Sequence, residues 1–267
     1  MLKNSNLLSH PAINLFGNDK PSIGSNFIEL QSVDSTNNYA MAKVHAGLAL
    51  HGTAYFAHDQ LAGKGQRGKT WNTAPGENII MSIVLEPHFL QPMQQFVLSA
   101  AIAVSCYDFI VNYFFDEWSI KWPNDLYWRD RKAGGILIES ICKGNDWLFA
   151  IVGIGININQ VQFPEHIKNA VSLKQICGNT MMVVDLAKEL CSFIDKRYSQ
   201  LEQKGAHQLL SEYNRLLFKR NQSVRLKKEN IIFETTVKGV SQQGQLLTFD
   251  TIERSFDFGE VEWMMGE

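Results

Sequence analysis

Apolar and polar residues alternate along NFIELQSV (26–33), which predicts a strand with one buried face. DSTNNYAMAKVHAG (34–47) opens on carboxylate and hydroxyl side chains and closes on a glycine. That pattern predicts a helix capped by Asp34 or Ser35 and stopped at Gly47. TAYFAHDQ (53–60) reads as a second strand. NIIMSIVLE (78–86), almost continuously apolar, reads as a fully buried one. Residues 91–114 form a long apolar helix with Pro92 near its start. SIKWPNDLYW (119–128) is strand, turn, strand, because Pro123, Asn124 and Asp125 interrupt it. GGILIESI (134–141) and WLFAIVGIGINI (147–158) are strands rich in β-branched residues, joined by a hairpin at 143–146.

The pattern changes twice more. Over 182–218 apolar residues recur at spacings of three and four, which predicts two helices. After Lys219 come short strands separated by turns such as Gln242-Gln243-Gly244. The 267 residues therefore suggest a large α+β unit at 1–218 and a small all-β unit at 219–267. At roughly 48 residues the small unit is near the lower limit for an independent core, so it is expected to lean on the large one.

Composition narrows the possibilities by exclusion. Apolar residues make up 45% of the chain, enough for a substantial core. The net charge of -2, with no basic arm, gives no electrostatic footprint for nucleic acid. Cys106, Cys142, Cys177 and Cys191 are far apart, form no C-x-x-C pair and lie in apolar stretches, so buried reduced thiols are expected. No H-E-x-x-H occurs, and His45, His51 and His58 read as structural or surface residues. The first 19 residues lack a continuous apolar core of the signal-peptide type, and no apolar run reaches the roughly 18 residues of a membrane span. A cytoplasmic protein without membrane contact is the expectation.

LAGKGQRGKTWNT (61–73) matches two nucleotide motifs at once. Gly63, Gly68, Lys69 and Thr70 fit the phosphate-binding G-x-x-x-x-G-K-T pattern, and Gly63, Gly65 and Gly68 fit G-x-G-x-x-G. Both motifs work by leading into a helix whose N-terminal amides face phosphate. Here Pro75 and Gly76 follow, then a strand, so both matches are rejected. The 61–77 loop still carries Lys64, Arg67 and Lys69 among glycines. Two readings stay open: a solvated surface loop, or a basic flap that wraps an anionic ligand.

Other stretches carry chemistry of their own. KWPND (121–125) sets Lys121 and Asp125 on either side of a proline turn, either to turn the chain or to meet a nucleotide and Mg²⁺. Lys132, in a D-R-K turn, reads either as a solvated turn lysine or, because Gly134 and Gly135 follow at a strand start where glycine allows close approach, as a ligand contact. In GIGININ (153–159), Gly153, Gly155, Asn157 and Asn159 share one face of a core strand and form an uncrowded polar strip.

In this order, DSTNNYA, GKGQRGKTW, KWPNDLYW, RKAGGILIE and GIGININ, followed by a small β unit, resemble the biotin–protein ligases over about residues 26–267. The resemblance implies a mixed or antiparallel sheet with flanking helices, akin to class II aminoacyl-tRNA synthetases, plus an SH3-like barrel. It implies activation of biotin as biotinyl-5′-AMP by ATP and transfer to a lysine of a biotin carboxyl carrier domain. It places biotin against Ser35, Thr36, Asn37, Gln60, Gly63, Lys64, Gly65, Gln66, Trp71, Lys132, Gly134, Gly135, Gly153 and Gly155. It places ATP against Lys64, Arg67, Trp71, Asn124, Asp125, Lys132 and Asn157. Lys132, Asp125 and Arg67 become the catalytic residues. Asp125 meets Mg²⁺ through the phosphates, and no tightly bound metal is expected. Many relatives read G-R-G-R-R-G where this chain has G-K-G-Q-R-G, so Gln66 is expected to loosen retention of the adenylate unless Arg67 or Lys69 substitutes. Some relatives are also DNA-binding repressors, but residues 1–34 contain only Lys3 and Lys20, so no DNA binding is expected. A monomer or weak homodimer is expected. Lipoate or octanoate ligation, and non-catalytic biotin binding, are the alternatives. The polar Ser35–Asn37 and Gln60 group favours a ureido head over a dithiolane, and Lys132 and Asp125 argue for catalysis.

Overall fold

The computed structural model describes residues 20–114, 117–165, 167 and 169–265. The expectations about the first 19 residues lie outside them. The large unit is built on a seven-stranded sheet in the order β1-β2-β3-β7-β6-β5-β4. β1 (Phe27–Val33) runs parallel to β2 (Ala54–Gln60), with α1 (Thr36–His45) as the crossover. Every other pairing in this sheet is antiparallel: β3 (Asn78–Leu85), β4 (Trp118–Lys121), β5 (Asp125–Trp128), β6 (Arg131–Lys143) and β7 (Asp146–Asn157).

The two faces of the sheet are used differently. On one, Ile79, Met81, Ile83 and Leu85 of β3 meet the main core with α2 (Gln95–Val111) and α4 (Val183–Lys204). On the other, Val84 packs with Tyr55, Ile151 and Ala40 of α1, while Ile80 looks into a cleft. That is why β3 reads as a continuous apolar run: both its faces are covered. By length and composition Pro92–Val111 could cross a membrane, contrary to the expectation from sequence. In the fold it is the central core helix, with Leu98, Ala101 and Ile102 fully buried. Its first residues, Pro92–Gln94, form a 3₁₀ turn, so the helix proper begins later than the apolar pattern does.

α5 (Ala206–Arg215) leads into a second, five-stranded antiparallel sheet in the order β11-β10-β9-β8-β12. Its strands are β8 (Ser223–Lys228), β9 (Ile231–Val240), β10 (Leu246–Phe249), β11 (Glu253–Phe256) and β12 (Glu262–Trp263). Leu226, Val237, Val240, Leu246 and Phe256 join the same apolar cluster as the large sheet's helices. The small unit therefore leans on the large one, as its size required. Gly244 shows how tightly they meet. Its φ is +90°, and a Cβ there would lie 2.5 Å from the Phe96 ring. Its carbonyl accepts from Trp122 Nε1 at 2.8 Å.

Two local expectations need correction. A short helix, α3 (Leu173–Cys177), lies where no periodicity was visible; Ser172 and Gln175 cap it reciprocally and Gly178 ends it with φ 79°. Cys106 and Cys191 are buried, but Cys142 is exposed and Cys177 half-exposed. Cys142 sits beyond a register shift in the β6–β7 hairpin, where the ribbon extends past the core.

Candidate active site

A cleft of about 1070 Å³ opens on the α1 side of the large sheet. Its floor is β6 and β7, its near wall the start of α1, its roof the 61–77 loop, and its far wall the turn before β12. Three glycines shape the floor. Gly135 and Gly155 face each other across the β6–β7 ladder, and Gly153 lies one step further along β7. A Cβ on Gly153 would sit 2.3 Å from Asn37 Oδ1, and one on Gly155 would sit 2.5 Å from the Trp71 ring. A Cβ on Gly135 would meet Lys132 Nζ and Asp125 Oδ1 at 3.3 and 3.2 Å. Of the strip expected from sequence, Gly153 and Gly155 leave the space into which Asn37 and Trp71 fold, while Lys132 lies over Gly135 of the neighbouring strand.

At one end neutral polar side chains predominate, with the Lys64–Glu139 ion pair beside them. Ser35 caps α1, accepting from the Asn38 amide. Gln60 Oε1 accepts from the Thr36 backbone N–H at 2.9 Å. The Ser82 hydroxyl donates to Asn37 Oδ1 at 2.6 Å and lies 2.7 Å from the Thr36 hydroxyl. Asn37 Nδ2 donates to Glu139 at 2.7 Å, and Glu139 lies 3.8 Å from Lys64 Nζ. Partners on both sides therefore fix the Asn37 amide and present donors and acceptors in a largely dry wall.

At the other end the side chains are charged. Lys132 Nζ contacts Asp125 Oδ1 at 2.7 Å and lies 5.6 Å from the centre of the Trp71 ring. The backbone of Lys132 bonds Asn169 and Val171, which fixes its strand position. The Asn124 amide donates to the Ile136 carbonyl and locks the turn before β5. Lys121, Lys69, Lys64 and Arg67 also line this cleft. Among the described residues, the buried Trp71 Nε1 has no acceptor within reach; it lies against Gly155 on the floor of the cleft.

The 61–77 loop is neither nucleotide motif. No helix follows Thr70 in it; it folds as a small hairpin over the cleft. Lys64 bridges Thr70, the Trp71 N–H donates to Gly63, and the Gly65 N–H donates to Lys69. Gln66–Gly68 form the tip, with Arg67 in the left-handed region at φ 55°. Arg67 donates to the Gly259 carbonyl of the small unit at 3.0 Å.

Most of the expected site residues gather here. Ser35, Thr36, Asn37, Gln60, Lys64, Gly65, Gln66, Arg67, Trp71, Asn124, Asp125, Lys132, Gly135, Gly153 and Gly155 all line the cleft. Gly63, Gly134 and Asn157 do not. Gly63 underlies the hairpin base against Trp71 and Gln60, and Gly134 faces Leu126 and Ile156. Asn157 is buried, with its amide donating to the Val171 carbonyl at 3.1 Å, and Asn159 bonds Met181. The 169–171 segment covers the strip beyond Gly155. Sequence reasoning missed Ser82 and Glu139, which hold Asn37, and the 258–263 wall. Ser82 could have been found as the one hydroxyl in an otherwise apolar strand. Nothing in the pattern after 219 marked the wall.

Fold and site together define an α+β protein whose cleft joins neutral hydrogen-bonding groups at one end to fixed cations at the other. The Biotin/lipoate A/B protein ligase family model matches residues 29–157. The chain is 30% identical over 253 residues to the Bifunctional ligase/repressor BirA of Escherichia coli K12, covering 91% of this chain and 76% of that one. It is 36% identical over 137 residues to the Biotin--[acetyl-CoA-carboxylase] ligase of Paracoccus denitrificans, covering 48% of this chain and 53% of that one. The structure of the biotin protein ligase from Aquifex aeolicus in complex with biotin and ATP superposes with a TM-score of 0.77 at 24% identity, over 91% of this chain and all of that one, a likeness of fold. The chain belongs to the biotin/lipoate A/B protein ligase family.

Proposed function

We infer that the chain is an ATP-dependent biotin–protein ligase that forms biotinyl-5′-AMP and passes the biotinyl group to a lysine of a carboxylase carrier domain. The carrying observation is the Lys132–Asp125 pair beside Trp71 over paired glycines, with neutral polar groups at one end of the cleft and surplus cations at the other. The ureido head would lie among Ser35, Thr36, Asn37 and Gln60, and the chain of the acid along Trp71. Lys132 would then sit between the biotin carboxylate and the α-phosphate, two anions that repel each other until a fixed cation neutralises them.

The carboxylate oxygen attacks the α-phosphorus, the bond to the β-phosphate oxygen breaks, and pyrophosphate leaves. A neutral lysine amine then attacks the acyl carbon, AMP leaves with the bonding electron pair, and the amine loses a proton. The mixed anhydride must be shielded from water, and the 61–77 hairpin above the cleft suits that role. Among the described residues no three acidic, histidine or cysteine side chains cluster to hold a metal. One free oxygen of Asp125 fits a Mg²⁺ held mainly by phosphates, where the ion would offset phosphate charge. In the same reading residues 219–267 are an SH3-like barrel, 1–218 the catalytic unit with a class II synthetase-like sheet, and the protein a cytoplasmic monomer or weak homodimer without a DNA partner.

The test is incubation with biotin, Mg-ATP and a carrier domain, read by streptavidin blot, beside a parallel run with lipoate. Biotin label on wild type and none on a folded Lys132→Ala variant is expected. Preferential lipoylation would shift the assignment within the family, and no label from either acid would end it.

A further inference from the structure

Lys121 is the last residue of β4, directly opposite Asp125 in the β4–β5 ladder, and it lines the cleft. It is half-buried, yet among the described residues no carboxylate lies within ion-pairing distance of its Nζ. Asp125 is taken by Lys132 at 2.7 Å. Lys121 instead donates to Tyr127 Oη at 3.2 Å and faces the rings of Tyr127 and Trp263 at 4.8 and 5.5 Å. Trp263 belongs to β12, so the small unit closes over this amine. A lysine desolvated by aromatic rings and left without an anion is costly, and such a group at a ligand cleft implies an anion brought by the ligand.

The surrounding charges define that anion. Lys132 on β6 and Lys69 on the hairpin both bear on Lys121, and Asp125 is the opposing carboxylate. Glu262 on β12 also lines the cleft. Tyr127 and, on α5, Tyr213 are kept neutral by burial, and Asp130 is paired with Lys219. Three lysines and Arg67 thus face two carboxylates at this end, which suits a polyphosphate better than a single carboxylate.

We propose that Lys121 binds the β- and γ-phosphates of the nucleotide and stabilises pyrophosphate as it departs. The assignment rests on the ligase reading above and places the triphosphate beyond Asp125 from Lys132. As the α-phosphorus bond to the bridging oxygen breaks, the electron pair stays on that oxygen. Lys121 meets the growing charge as an ammonium, and no proton is transferred. Burial holds Lys121 down at about 8, against the upward pull of Asp125, with Lys132 and Lys69 adding to the fall.

Calorimetric titration of biotin-saturated protein with Mg-α,β-methylene-ATP measures the affinity for the triphosphate. Lys121→Met should bind the analogue more weakly and form biotinyl-AMP about 10²–10³-fold more slowly, with its affinity for biotin unchanged. Its melting temperature should rise, because a buried uncompensated charge is gone, which separates the defect from misfolding. Lys121→Arg should recover part of the affinity, since it restores the charge. Wild-type affinity for the analogue and wild-type adenylation in Lys121→Met would overturn the assignment alone. A wild-type chain that makes no biotinyl-AMP would overturn the ligase reading and the assignment together.

Discussion

Gly155 has no side chain, yet it decides where a tryptophan stands. The Trp71 ring occupies the volume a Cβ would need, and Lys132 lies against that ring. Gly155→Ala must push Trp71 off the floor and loosen the setting of Lys132. The fold itself should tolerate the change, because Gly155 sits in extended backbone of β7 that accepts alanine. The expected result is a rise in the KM values for biotin and ATP of tenfold or more, since misplacing groups by about 1 Å costs on the order of 10²-fold. The melting temperature should fall by only a few degrees. Steady-state adenylation kinetics with thermal melts check this, and unaltered KM values would show that Trp71 plays no part in the cleft. Gly153→Ala should act on biotin alone, because its Cβ collides with the Asn37 amide rather than with Trp71. A matched pair of titrations with biotin and the nucleotide analogue distinguishes the two.

At the scale of elements, the 61–77 hairpin sets one neutral side chain, Gln66, between the cations Lys64 and Arg67. Gln66 is at its tip beside Arg67, whose guanidinium is already engaged by the Gly259 carbonyl. A neutral amide there offers the adenylate phosphate less than a guanidinium would, because only Arg brings a charged, forked donor. Gln66→Arg should slow release of biotinyl-AMP several-fold, read by trapping free adenylate with hydroxylamine; equal release would mean that Arg67 or Lys69 already does the work. The hairpin was legible as a special loop because glycine and cations cluster between two strong strands. Its shape was not, since the Lys64–Thr70 bridge is a tertiary choice made against the floor beneath it. The strands of the large sheet were legible for the opposite reason: β3 and β7 are rich in Ile and Val, and burial on both faces favours that. α3 was missed because five residues cannot display a helical period. Its Ser172–Gln175 box and Gly178 were the available signals, and they are local chemistry rather than pattern. Asn157 shared a face with the cleft-lining Gly153 and Gly155, as the alternation required. What alternation could not reveal is that the distant 169–171 segment returns to cover that end of the strip.

For the whole molecule, the question is whether two sheets with one apolar cluster act as one cooperative body. Arg67 to Gly259 and Lys121 to Trp263 tie the small unit to the roof and wall of the cleft, and Trp122 ties it to the turn before Asp125. Asn214 of α5 is the most economical joint between them. It accepts from the Val240 N–H at 2.6 Å and donates to the Val240 and Leu210 carbonyls at 3.1 and 3.0 Å. Gly239 leaves room for it, since a Cβ there would meet Asn214 Oδ1 at 2.8 Å. Asn214→Ala would leave a half-buried N–H without that partner, at a cost of about 1–3 kcal/mol. If the sheets unfold together, calorimetry should show a single transition shifted to lower temperature, with fluorescence and circular dichroism midpoints moving in step. Adenylation at low temperature should fall as well, because β12 and its preceding turn form the wall that holds Lys121 and Arg67. Two separated transitions, the lower assigned to the small sheet and leaving adenylation intact, would show instead that the small unit is a passenger and that the shared core does not couple it to the site.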